Sequence, residues 1–160
     1  MIEKGVRFFG VGGAIGYDTI AAHVILSLKE QYPFIKLIVV CPCKNQDLKW
    51  NEVDKQVYRD ILNSADKVVV LADTYYGGCM QARNKHLVDN SKYCVCYLER
   101  KRGGTYNTVQ YAQRQKKDIK YINKTFYSRY LMDAFCLRYC KGVRVVGHYK
   151  KRLLLGIFGW

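Results

Sequence analysis

Five short apolar runs decide what this chain can fold into. They lie at residues 6–11, 35–41, 67–71, 93–98 and 119–122, and none alternates apolar with polar residues as a strand with one wet face does. Continuous runs of this kind suit parallel strands covered on both sides. The segments between them carry helical spacing, so the pattern reads β-α-β-α and the expected fold is α/β, a mainly parallel sheet joined by right-handed crossovers.

The spacing predicts a helix over 18–31, with Ile20, Ala21, Val24 and Leu28 on its buried face. A second is predicted over 48–64, with Trp50, Val53, Val57 and Ile61 in one stripe. In a third, over 79–90, Met80, Arg83, Asn84 and Leu87 fall at offsets 0, 3, 4 and 7 and share a face. An arginine directed at a core needs a partner, either an internal carboxylate or an anionic ligand at the sheet's edge. A fourth helix is predicted over 105–116. Beyond Asn123 the alternation stops: Tyr127, Leu131 and Phe135 suggest one more helix, 143–146 a strand or hairpin arm, and 150–160 join basic residues to an apolar end expected to dock on its own domain.

At 160 residues the chain suits one domain, and its 27 Lys plus Arg against 13 Asp plus Glu give a formal charge of +14. That charge attracts nucleic acid, anionic surfaces or phosphorylated small molecules without choosing among them. Residues 124–160 alone hold eight Lys or Arg and one acid, a basic extension able to bind nucleic acid weakly. No apolar run approaches the ~20 residues of a spanning helix, and no secretory apolar region follows Met1, so a cytoplasmic protein without a membrane span is expected. The seven cysteines include no CxxC pair. They read as buried thiols, with neither a disulfide framework nor a zinc knuckle.

In an open parallel sheet, ligands bind outside the carboxyl ends of the strands. Four loops end strands there. Residues 12–18 form a glycine turn (Gly12, Gly13, Ala14, Gly16) into a helix, with Asp18 also suited to N-capping. Residues 41–46 end in Asn45 and Gln46, whose amides suit either a base or ribose edge or helix capping. Residues 73–78 carry Tyr75 and Tyr76, which could stack on a base. Residues 103–108 place Gly103, Gly104, Thr105, Asn107 and Thr108 in a second glycine turn, the better phosphate candidate because backbone amides and hydroxyls meet at a positive helix end. Neither loop matches the P-loop pattern, which excludes a P-loop NTPase.

The stretches GGAIGYDTIAA (12–22), KLIVVCPCKNQDLKW (36–50), CMQARNKHLVDNS (79–91) and GGTYNTVQYA (103–112) resemble the YpsA-like family of the SLOG superfamily. These are Rossmann-like three-layer proteins grouped with the DNA-processing protein of natural transformation and the lonely-guy phosphoribohydrolases. The resemblance covers residues 5–123 and implies a domain over 1–123 followed by an extension over 124–160. It implies a pocket for a nucleotide or nucleotide-derived molecule. In it the glycines of both loops, Thr105 and Thr108 surround phosphate, Arg83 neutralises it, Asp18 and Asn84 hold ribose hydroxyls, and Ala14, Asn45, Gln46, Met80 and Asn107 complete the wall. No metal or resident cofactor is implied, and a homo-oligomer is compatible.

Two departures from the family pattern bear on function. The first family strand, with its loop and helix, is expected to be missing, leaving a bare sheet edge for the tail to cover. The phosphoribohydrolases carry an acidic residue shortly after the second glycine loop, whereas residues 109–113 here (VQYAQ) contain none. The reading therefore favours ligand binding, as a sensor or carrier, over a nucleoside-monophosphate glycosidase with Asp18 as its carboxylate or a nucleic-acid-binding module.

Overall fold

The computed structural model describes residues 1–122 and the backbone of 157–159. The helix predicted around Tyr127, Leu131 and Phe135, the strand predicted at 143–146 and the basic residues 150–152 lie outside the described residues. A 3-10 turn at Ile2–Lys4 leads into β1 (Phe8–Val11), α1 (Tyr17–Gln31), β2 (Lys36–Cys41), α2 (Glu52–Ser64) and β3 (Lys67–Val70). Then follow α3 (Cys79–Asp89), β4 (Tyr93–Cys96), α4 (Gly104–Arg114), β5 (Asp118–Tyr121) and β6 (Ile157–Gly159). The sheet order is β3-β2-β1-β6-β4-β5. Every pairing is parallel except those of β6, and the α/β fold expected from the alternation, Rossmann-like as the resemblance implies, is present.

Strand β2 shows why the run at 35–41 does not alternate. Leu37, Val39 and Cys41 join Val11, Ala21, Ile25 and Ile61 in a core beneath α1 and α2, while Ile38 and Val40 join Leu87, Val88, Val109 and Ala112 in a second core beneath α3 and α4. The sheet is thus the middle of three layers. Each fully buried Leu, Ile or Val contributes about 1.5–3 kcal/mol relative to exposure.

Three details differ from expectation. Helix α2 starts at Glu52 instead of residue 48, because Asn51 takes extended backbone and its side chain accepts a hydrogen bond from the Asp54 amide at 2.9 Å. Val53 therefore lies in the first turn, 74% exposed, and the buried stripe passes through Tyr58 and Ile61. In α1 the face is rotated towards Ala22 and Ile25, leaving Ile20 and Val24 only half-buried. Strand β3 is an edge strand, so Val68 and Val70 stay exposed despite their place in an apolar run.

Strand β6 occupies the middle of the sheet, not a bare edge. Its register sets Phe158 opposite Gly10 on one side and Cys94 on the other. Strands β1 and β4 do not pair with each other. A three-residue antiparallel insert satisfies backbone groups on both, which would otherwise be two open edges.

Candidate functional site

The loop leaving β1 is built around a buried ion pair. Asp18, in the first turn of α1, is fully buried, and Arg83, one turn into α3, is 2% exposed. Arg83 Nη1 donates to Asp18 Oδ2 at 3.1 Å, and the Ala14 amide donates to the same oxygen at 3.2 Å. Burial pushes the Asp18 carboxyl above the ordinary carboxylate range, while the Arg83 guanidinium and the Ala14 amide pull the other way. The partner of Arg83 is thus the internal carboxylate, one of the two alternatives left open by its position on the helix.

Gly12 lies directly over this pair. A Cβ there would overlap Arg83 Nη1 and come within 2.8 Å of Asp18 Oδ2. Only glycine lets the backbone pass so close to the guanidinium. The sequence marks Gly12 as a phosphate-loop glycine, but the structure shows that its lack of a side chain first serves packing against Arg83.

A second network holds the same loop from the α2 side. Gln46 Nε2 donates to the Gly13 carbonyl at 3.3 Å, and the Tyr58 hydroxyl lies 3.0 Å from Cys41 Sγ. Burial raises both the Cys41 thiol and the Tyr58 phenol above their usual ranges, so both stay protonated. Trp50, outside α2, packs edge-on against Tyr58 with ring centroids 5.3 Å apart. Tyr58 escapes the sequence reading, although its spacing of three from Ile61 places it on the buried stripe.

The remaining candidates divide by what they already bond. The Asn45 side chain accepts from the Tyr75 amide at 2.9 Å, tying the loop after β2 to the loop after β3. The Thr108 hydroxyl donates to the Gly104 carbonyl at 2.9 Å, so its proton is engaged within the helix. Met80 is half-buried, and Asn84 is buried beside Arg83. Gly103 is the N-cap of α4, with φ of +88° and no side-chain cap, and Asn107 is exposed in the first turn while Thr105 is buried. Gly103 thus offers no side-chain oxygen to the first turn of α4, the positive end of an 11-residue helix.

Among the buried side-chain atoms without a hydrogen-bond partner in the described residues are Asp18 Oδ1, Gln46 Oε1, Arg83 Nε and Asn84 Oδ1. They come from α1, the β2–α2 loop and α3, around one loop at the carboxyl end of the sheet. Such atoms are few in folded proteins.

At the opposite end of the sheet a groove of about 590 Å³ runs past Asp89, Lys92, Lys116 and Lys117. Its lysines stand at the carboxyl ends of α3 and α4, where cations offset the helix dipole. The five described cysteines are free and buried. Among the described residues no group of three or more His, Cys, Asp or Glu could hold a metal ion, and no helix is long and apolar enough to cross a membrane.

Comparison with known proteins finds relatives of this chain. A UPF0398 protein of Halalkalibacterium halodurans is 34% identical over 124 residues, covering 76% of this chain and 66% of the relative. The uncharacterised SPbeta prophage-derived protein YoqJ of Bacillus subtilis is 31% identical over 124 residues, covering 70% and 72%. A UPF0398 protein of Brevibacillus brevis is 29% identical over 119 residues, covering 73% and 63%. The chain thus spans less than two thirds of the first and third of these relatives. The family model YpsA, described as the YspA SLOG family, matches residues 1–129, which include both glycine loops and the Asp18–Arg83 pair. The chain belongs to the YspA SLOG family.

Proposed function

We propose that this chain binds a nucleotide or nucleotide-derived small molecule at the carboxyl ends of its strands and acts as a sensor or carrier without turnover. The observation that carries this reading is the set of partnerless buried atoms on Asp18, Gln46, Arg83 and Asn84 around one glycine loop. Buried polar atoms left unbonded cost about 1–3 kcal/mol each, and their gathering around one glycine loop supports a polar ligand seated on that loop.

The start of α4 receives the phosphate in this reading, with Gly103, Gly104, Thr105 and Asn107 around it. Backbone amides at a helix end hold an anion without any cationic side chain. Asp18 and Arg83 act chiefly as the charged floor beneath Gly12, since neither is exposed. The Gly12–Gly16 loop and Asn84 then bear on the sugar.

Burial of Asp18 against Arg83 weighs against its serving as a catalytic acid or base, and the first turn of α4 holds no acid. A thermal-shift panel of nucleoside mono-, di- and triphosphates, cyclic dinucleotides and ADP-ribose tests the binding. A ligand at ~100 times its Kd adds ~2.7 kcal/mol to stability. The reading predicts a clear shift for at least one compound, with no free base released on prolonged incubation. A flat response across the panel overturns the binding reading, and release of free base overturns the absence of turnover.

A further inference from the structure

We propose that Cys43 and Cys79 are an oxidation site, closing reversibly to a disulfide that staples the β2–α2 loop to the start of α3. This goes beyond ligand binding and does not depend on it.

The backbone brings the two residues together from loops that follow different strands. The Lys44 amide donates to the Ala72 carbonyl at 3.1 Å, the Tyr75 amide to the Asn45 side chain at 2.9 Å, and the Cys79 amide to the Tyr76 carbonyl at 3.1 Å. Lys44 also pairs with Asp73. Cys43 and Cys79 thus belong to two loops tied to each other, and their thiols interact directly. Each is buried but stands one residue from exposed chain, Lys44 in one case and Gly78 in the other. Residues 73–78 are exposed throughout, and a Cβ on Gly77 or Gly78 would meet nothing within 4 Å. Local opening of such a segment is easy, and it admits a small oxidant to both thiols. In the closed state burial, and then the neighbouring Cys79 thiol, push the Cys43 thiol above its ordinary range, so it keeps its proton.

The other described thiols are placed differently. Cys41 Sγ lies 3.0 Å from the Tyr58 hydroxyl. Cys94 and Cys96 interact with each other, but they are alternate residues of β4, which pairs with a strand on each side. Alternate strand residues stand about 6.6 Å apart, near the upper limit that a disulfide spans, and the sheet holds them there. Cys43, in a loop, and Cys79, at a helix end beside two glycines, are free to adjust.

The oxidant is a hydroperoxide. One thiolate attacks a peroxide oxygen, the O–O bond breaks, and the sulfur becomes a sulfenic acid as water leaves. The second sulfur displaces water from that sulfenic acid and forms the S–S bond. With hydrogen peroxide, the two thiols together lose two electrons and two protons, and the peroxide is reduced to two waters. A dithiol reverses the link by exchange.

Peptide mapping of the full chain, after hydrogen peroxide treatment and blocking of the remaining thiols, tests this alongside melting curves of wild type, Cys43→Ala, Cys79→Ala and Cys41→Ala. Wild type should yield linked peptides joining Cys43 to Cys79 that dithiothreitol separates, and its Tm should rise by about 5 °C or more on oxidation. Cys43→Ala and Cys79→Ala should each lose that rise, and Cys41→Ala should keep it. The mapping uses wild type alone, so it decides the matter even where a variant folds poorly. Linkage of either residue to another cysteine, oxidation of either to a sulfinic acid without linkage, no reaction at either, or a linked protein whose Tm is unchanged or lower overturns the proposal. Each of these outcomes leaves nucleotide binding untouched.

Discussion

Asp18→Asn removes one charge, keeps the shape, and leaves Arg83 charged beneath Gly12 with 2% exposure. Arginine cannot shed its proton at accessible pH, so the variant retains an uncompensated buried cation, for which breaking a buried pair costs about 3–5 kcal/mol. For a domain of this size that is a fall in Tm of roughly 10 °C or more. Arg83→Met breaks the same 3.1 Å contact from the other side, with a different dependence on pH. Burial already raises the Asp18 carboxyl in the intact pair, and without Arg83 it rises further above its unfolded value. A group with a raised folded pKa binds its proton more readily in the folded state, so its penalty is full above that pKa and fades as pH falls towards the unfolded value near 4. Denaturant unfolding at pH 8 and pH 5 checks this. The Arg83→Met deficit should shrink by at least about 1 kcal/mol on acidification, and the Asp18→Asn deficit should not. Deficits below about 1 kcal/mol in both variants, or equal pH dependence, would refute the buried pair as the organising contact of the loop.

Other substitutions probe separate contacts. Gly12→Ala forces a methyl group onto Arg83 Nη1 and should cost about 1–3 kcal/mol by overpacking, read as a lower denaturation midpoint; a neutral result would show that the pair moves freely. Lys116 has φ of +53° at the end of α4, where its amide bonds the Gln113 carbonyl at 2.9 Å and the Lys117 amide bonds Ala112 at 3.0 Å. This is a helix-terminating turn that favours glycine, so Lys116→Gly should raise stability by about 0.5–1 kcal/mol, visible as a higher Tm. Burial pushes the Asp66 carboxyl up, but hydrogen bonds from Lys29, the Leu37 amide and Lys36 outweigh it and hold the pKa below the usual value. A lowered carboxylate stabilises above its unfolded pKa and loses that contribution as pH falls through the folded one. Asp66→Asn should therefore cost about 1 kcal/mol at pH 7 and flatten the loss of wild-type stability below about pH 4, measured by urea unfolding across pH.

The alternation of elements and the two-faced burial of β2 were legible because apolar runs at 35–41 and 93–98 report burial directly. The start of α2 was not. Trp50 and Val53 fit the helical spacing, but the Asn51 cap, a local hydrogen bond, starts the helix after Trp50 and leaves Val53 in its first turn. Nor could the residues show β6 in the middle of the sheet, since three residues carry no periodicity and their pairing is set by two strands more than 60 positions away. At the candidate site, the position of Arg83 on a buried face was readable from spacing. Its partner Asp18 was not, because 65 residues separate them and both an internal carboxylate and a ligand satisfy the same electrostatic demand.

The central claim, that a nucleotide ligand sits at the carboxyl ends of the strands, is tested most directly by amide chemical-shift mapping during titration with ADP. The account predicts the largest changes at Gly103, Gly104 and Thr105, accompanied by the loop of Gly12, Gly13 and Ala14, and saturation with a single dissociation constant. Changes concentrated at Lys92, Lys116 and Lys117 at the other end of the sheet, or confined to residues 124–160, would contradict it.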